Sequence, residues 1–274
     1  MNIESSSDAQ NIRKLILKTA FRANKGHLGS ALSICEIVTT IFKVAKLSSD
    51  KNSQRDRVVM SKGHAALAWF SALAHFDVIP LEELETYCVD GSLLGTHPDP
   101  ELPGVDFMTG SLGQGIGFGV GAALAAKIEG SERQVFVVLS DSELNEGSTW
   151  ESIALAGQLK LDRLVVILDR NGQQALGKTK DILSFGEIPL IVGELGWNVV
   201  EVSGHNCSEM SEVIEHANKS SKGPLFVVAE TIAGKGVSFM EGKVEWHYMP
   251  MTHEQFTCAI GEVDAAIEAL QGGR

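Results

Sequence analysis

The chain has 274 residues, 44% hydrophobic and 21% charged, enough apolar material for a sizeable core and too mixed for a disordered polymer. Its net charge of −12 argues against a nucleic-acid surface. The polar start Met1 to Ser7 lacks the apolar core of a signal peptide, and no run reaches the roughly 18 apolar residues of a membrane span, so a cytoplasmic protein bound to neither membrane nor nucleic acid is expected.

Asn11 to Ala23 is predicted to form an amphipathic helix, with Ile12, Leu15, Ile16 and Thr19 on one face. After a break at Lys25-Gly26-His27, Ser30 to Ala45 carries a second helical apolar period. Arg57 to Met60 is a short buried-strand candidate. Ser61-Lys62-Gly63-His64 leads from it into the helix-like run Ala65 to His75. Gly91 to Gly110 holds three of the seven prolines and reads as a loop of a length that is often functional. Gly113 to Lys127 is a Gly/Ala-rich apolar helix that would let another backbone approach closely, as at a subunit contact.

Further strands are expected at Gln134 to Leu139, Leu164 to Leu168, Leu225 to Glu230 and, more weakly, Asn198 to Val202. Helical patterns at Thr149 to Leu159, Ile188 to Leu195 and Ser208 to Ser220 separate them. Short apolar strands alternating with helices predict an α/β fold, doubly wound, with a mainly parallel sheet and helices on both faces. No internal repeat or linker interrupts residues 1–274, which read as a single domain. The four cysteines, Cys35, Cys88, Cys207 and Cys258, form no Cys-x-x-Cys pair and are expected to be buried, reduced thiols.

Open α/β sheets bind ligands beyond the carboxyl ends of their strands. The segments that follow the predicted strands are Ser61 to His64, Ser140 to Gly147, Asp169 to Gly172 and Thr231 to Gly236, all polar and expected at one sheet edge. Asp141 and Asn171 stand out there, 30 residues apart. A carboxylate and an amide oxygen suit magnesium, which completes its shell with phosphate oxygens and water. On residue type alone, Asp141 could equally cap the next helix and Asn171 could form a turn with Gly172. Gly117 to Ala122 matches the dinucleotide pattern G-x-G-x-x-A, but a proline-containing loop precedes it instead of a strand, so a packing helix is expected. His27, His64, His97 and His247 sit in turns, where a lone histidine is commonly just solvated. His75, His205, His216 and His253 have no distinguishing context.

Six ordered segments resemble the transketolase family. They are Lys25-Gly26-His27-Leu28-Gly29, Ser61-Lys62-Gly63-His64-Ala65, Gly95-Thr96-His97-Pro98, Thr109-Gly110-Ser111-Leu112-Gly113-Gln114-Gly115, the thiamine-diphosphate motif from Asp141 to Asn171, and Gly234 to Met240 with Glu245-Trp246-His247. The resemblance runs from about Ile12 to Met251 and implies a PP-type thiamine-diphosphate-binding fold. It implies that Asp141, the Asn171 side chain and the Gln173 carbonyl hold Mg2+, or Ca2+ or Mn2+ in its place. By the same resemblance His64 and His247 approach the diphosphate, while Gly110 and Leu112 line the aminopyrimidine and the cofactor's bent waist. Ser140 and Ser142 flank Asp141 at the cofactor. Glu146 joins an acidic network towards a partner, and His27, His97 and His247 act on the sugar.

The family's Gly-Asp-Gly is here Ser140-Asp141-Ser142, a change expected to shift the loop and lower cofactor affinity. The implied reaction transfers a two-carbon ketol unit from a ketose, expected to be phosphorylated, to an aldose. Only the diphosphate-binding half is matched. A separate C-terminal transketolase subunit carrying the pyrimidine-binding domain is therefore expected, in a heterotetramer of two copies of each chain. The alternatives are another thiamine-diphosphate reaction, such as decarboxylative ketol synthesis, and a non-catalytic degenerate paralogue.

Overall fold

The strands are apolar on both sides because both sides are covered. Successive strand residues point to opposite faces. Phe136 and Val138 of the second strand enter one core cluster while Val135, Val137 and Leu139 enter the other. The computed structural model describes residues 3–48, 54–220 and 222–272. Along the chain run α1 (Ile3–Ala23), α2 (Leu28–Leu32), α3 (Cys35–Val44), β1 (Arg57–Met60), α4 (Ala66–His75), α5 (Gly115–Glu129), β2 (Val135–Ser140), α6 (Gly147–Gln158) and β3 (Leu164–Arg170). A small ribbon, β4 (Gln173–Gln174) and β5 (Gly177–Lys178), follows. Then come α7 (Thr179–Ile182), α8 (Ile188–Glu194), β6 (Asn198–Ser203), α9 (Cys207–Ser220), β7 (Leu225–Glu230) and α10 (His253–Gly272).

The main sheet has five strands in the order β1-β2-β3-β7-β6, every neighbouring pair parallel. Ile12 and Ile16 of α1, Ile37 and Ile41 of α3, Phe70 of α4, Met210 of α9 and Val263 of α10 cover one face. Ile116 and Val120 of α5, Ile153 of α6 and Val192 of α8 cover the other. This is the expected α/β architecture, and β1 and β7 have the expected bounds. Among the described residues no helix is long and apolar enough to cross a membrane.

Several local expectations need correction. The helix expected over Ser30 to Ala45 is two helices, broken at Ser33 and Ile34. The Ser33 hydroxyl lies 3.0 Å from the Ser30 carbonyl and 2.7 Å from Asp169, side-chain bonds that compete with a continuous helix. The first helix begins well before Asn11, and Lys43 of α3 braces its polar turn through Asp8 at 2.8 Å. The C-terminal helix α10 has no counterpart among the expected elements. Cys35 and Cys207 are buried, but Cys88 is half-buried and Cys258 exposed, so the expectation of buried thiols holds for two of the four. The G-x-G-x-x-A segment lies in α5. There a Cβ on Gly119 would stand 2.3 Å from the Val137 side chain, so the glycine serves close helix–strand packing.

Candidate active site

The parallel register puts the carboxyl ends of β1, β2, β3 and β7 along one edge, with Met60 beside Val138, Ser140 beside Asp169 and Arg170 beside Glu230. The four polar segments after those strands are thereby gathered.

Asp141 is 3% exposed, and its carboxylate accepts the Gly172 N–H at 2.7 Å. Burial, and next the charge of Asp169, push its pKa up to about 7. The Asn171 side-chain oxygen accepts the Gln173 N–H at 2.9 Å, and Gly172 takes a φ of 72°, so the Asn171-Gly172 turn is real. Asp141 caps no helix. Ser140 caps the short 3-10 turn Asp141–Asn145 in a reciprocal arrangement with Glu143. Among the described residues no three His, Cys, Asp or Glu side chains gather as a metal site. A cation here would use one carboxylate with amide and carbonyl oxygens, a hard donor set to be completed by phosphate and water. A buried carboxylate beside a second acid, with one recorded N–H donor, fits such a cation.

Ser140 sits at φ −107° and ψ 160°, extended backbone that needs no glycine. Its hydroxyl contacts Glu143 and Ser142, each at 3.1 Å. Glu143, fully buried, also accepts bonds from the Ser61 hydroxyl and from the N–H groups of Gly113 at 3.1 Å and Ser140 at 2.9 Å. Glu143 thus pins the segments after β1 and β2 to the turn before α5, and Ser140 takes part in that clamp.

Three histidines form a triangle at this edge. Ring centroids are 5.6 Å apart for His27 and His64, 5.5 Å for His27 and His247, and 5.1 Å for His64 and His247. His27 adopts a left-handed φ of 61°, and its N–H donates to the His247 carbonyl at 3.2 Å. A non-glycine residue in that region stores strain of the kind found at functional sites. Burial holds all three imidazoles below their ordinary pKa. His64 lies well below it with Lys62 adding to the effect, His27 is lowered also by His97, and His247 is at about 4 with His27 and Lys62 contributing. They are neutral at physiological pH and present one donor and one acceptor nitrogen each. His97 is exposed and lies against Gly110, where an added Cβ would meet its ring at 3.4 Å.

A cleft of about 320 Å³ runs past this triangle, lined by His64, Gly110, Leu112, Ser142, Glu146 and His247 among others. A second hollow of about 310 Å³ borders Asp141 and Gly172. Leu176, which lines the cleft, is 87% accessible, and Tyr248, whose ring packs against His247, is 56% accessible. The sequence reading missed Lys62, Glu143, Asp169 and His205. His205 accepts the Ile232 N–H at 3.0 Å and bonds Glu36, whose two oxygens both meet Nη2 of the buried Arg13, and so tethers the segment after β7. The Ser-Lys-Gly-His run was the one available signal for Lys62, while nothing local marks His205.

Residues 5–260 match the family model described as transketolase, thiamine diphosphate binding domain. The chain is 36% identical to an apulose-4-phosphate transketolase subunit of Phocaeicola vulgatus, covering 94% of this chain and 93% of that one. It is 35% identical to a 6-deoxy-6-sulfo-D-fructose transketolase subunit of Clostridium sp. (strain MSTE9), covering 96% and 97%. The solved transketolase of Campylobacter jejuni superposes with a TM-score of 0.86 at 27% identity, covering 99% of this chain and 48% of that one. The chain therefore spans nearly the whole of the two subunits and about half of that solved enzyme.

Proposed function

This chain belongs to the transketolase family, as its thiamine-diphosphate-binding portion, and from that premise we propose that it works as one subunit of a two-chain transketolase, with the residues of the strand-end cleft in the roles set out below. The reaction type is transfer of a two-carbon ketol unit, and the family's cofactor is thiamine diphosphate, typically with Mg2+. Bound here, the cofactor supplies the carbanion chemistry. Asp141, the Asn171 oxygen and the Gln173 carbonyl would hold the metal, and Ser142, Gly110 and Leu112 would line the cofactor. His64 and His247 would donate to the diphosphate. His27, His97 and His247 would bond the sugar's oxygens and move protons at them, a role that suits neutral imidazoles. Ser140 supports the cofactor loop through Glu143 in this reading, and Glu146 faces the partner chain.

One observation carries the assignment. His64 and His247 of the histidine triangle arise on different loops yet line one strand-end cleft together with Ser142, the residue after Asp141. The partner would carry the pyrimidine-binding domain and cover the exposed Leu176 and Tyr248, with the Gly/Ala face of α5 as a second contact, in an assembly of two copies of each chain. Residues 1–274 are read as one domain, and the four free cysteines favour a cytoplasmic setting. A phosphorylated ketose is the proposed donor.

Product analysis of the two-chain complex tests the reading. A ketose shortened by two carbons and an aldose lengthened by two support it. Carbon dioxide release from pyruvate would indicate decarboxylative ketol synthesis instead. No calorimetric binding of thiamine diphosphate with Mg2+ would indicate a non-catalytic paralogue.

A further inference from the structure

Lys62 and Asp169 form an ion pair that is 1% and 0% exposed. Burying two charges is costly and often adds little net stability, so such a pair invites the question of what it orients. Four groups converge on the Asp169 carboxylate. The Lys62 ammonium, the Ser33 hydroxyl at 2.7 Å and the Asn171 amide nitrogen at 2.9 Å meet one oxygen, and the Thr231 hydroxyl meets the other. They come from the end of α2 and from the segments after β1, β3 and β7, so the pair lies where the cleft's loops meet. Lys62 also donates to the Ser30 carbonyl at 3.1 Å.

An ionised carboxylate only accepts hydrogen bonds, whereas an amide has one donating and one accepting end. Asn171 must therefore turn its NH2 toward Asp169. That leaves its oxygen on the other side, where the Gln173 N–H reaches it at 2.9 Å. With Asp141 as a neighbouring acid, an uncompensated Asp169 would add a second buried negative charge, and Lys62 balances it.

We propose that Asp169, neutralised by Lys62, is a positioning residue that fixes the Asn171 amide with its oxygen toward the metal. The inference rests on the reading of Asp141 and Asn171 as metal ligands. Groups that orient a metal's ligands typically cost about 10–100-fold in metal affinity when lost.

The test uses the two-chain complex with saturating thiamine diphosphate and Mn2+ as the probe, free Mn2+ being read by electron paramagnetic resonance and folding by circular dichroism. Folded Asp169→Asn should bind Mn2+ about 10–100-fold more weakly than the wild type. Asn171→Asp is the second variant, and it decides the matter if Asp169→Asn does not fold. Simple charge counting says an added carboxylate tightens metal binding. Here it would set two acceptor-only groups against each other and should weaken binding by at least about tenfold. Folded Asp169→Asn within twofold of the wild type, or Asn171→Asp binding as tightly as the wild type, overturns the inference. A wild-type complex that binds no Mn2+ refutes the metal reading itself and removes the inference with it.

Discussion

Asp141, on the loop after β2, accepts the backbone N–H of Gly172, on the loop after β3, at 2.7 Å and across 31 residues of chain. This bond joins the two halves of the proposed metal corner before any metal arrives. Asp141→Ala removes both the joint and the charge. Breaking a buried charge arrangement costs about 3–5 kcal/mol, at least about two orders of magnitude in affinity. Calorimetry should show magnesium-dependent cofactor binding weakened by that much, and an unchanged affinity would remove Asp141 from the site.

His97 and His247 should separate kinetically. His97 is exposed beside Gly110, while His247 belongs to the half-buried triangle and lines the cleft. His97→Ala is expected to lower kcat or raise the donor's KM with little change in cofactor affinity. His247→Ala is expected to harm both. Equal loss of cofactor binding in the two variants would place His97 at the diphosphate instead.

Burial and neighbouring positive charge hold His247 at about 4, against an ordinary value of 6.5. Above pH 6.5 the ring is neutral folded and unfolded, and the native state loses nothing. As pH falls below 6.5 the unfolded chain takes up a proton that the folded chain refuses, so stability drops until pH reaches about 4. Chemical denaturation across this window should show the decline, and His247→Gln should flatten part of it. An unaltered pH slope in the variant would show that His247 is not held neutral.

The fold was legible where its cause is local. β1, β2, β3 and β7 are apolar on both faces and read as unbroken runs, whereas β6 is buried only at Val202 and reads weakly. In α10 the buried residues are Ala259 and Val263, too few to mark a helix by period. Asp141 could be singled out because it follows a strand, whereas His27, His64, His97 and His247 gained roles only through the resemblance of their segments to the family. The Lys62–Asp169 pair and the His205–Glu36 bond link residues 107 and 169 positions apart, and only the folded chain brings them together. The serines flanking Asp141 were expected to disturb the loop. Their glycine precedent suggested a φ or steric need that Ser140, in extended backbone, does not have.

Gly26 shows how closely the His27 and His247 loops approach. A Cβ there would stand 2.2 Å from the Tyr248 carbonyl oxygen. Gly26→Ala should push the His247 segment out of place and lower kcat/KM on the order of 10–100-fold. Gly261→Ala, on α10 with nothing within 4 Å of the new Cβ, should leave kinetics unchanged and add about 0.5–1 kcal/mol of stability. Steady-state kinetics and thermal melting of the two variants check this. Wild-type kinetics in Gly26→Ala would mean the contact does not set the site.

Ketol transfer by this chain with and without its partner bears most directly on the two-chain reading. The measurement is aldose extension from a ketose donor at saturating thiamine diphosphate and Mg2+, with size determination on the same samples. The purified chain alone should show negligible transfer. Adding the subunit that carries the pyrimidine-binding domain should restore turnover and yield a complex of about twice the heterodimer mass. Robust turnover by the rigorously purified single chain would contradict the assignment of a site completed by a second subunit.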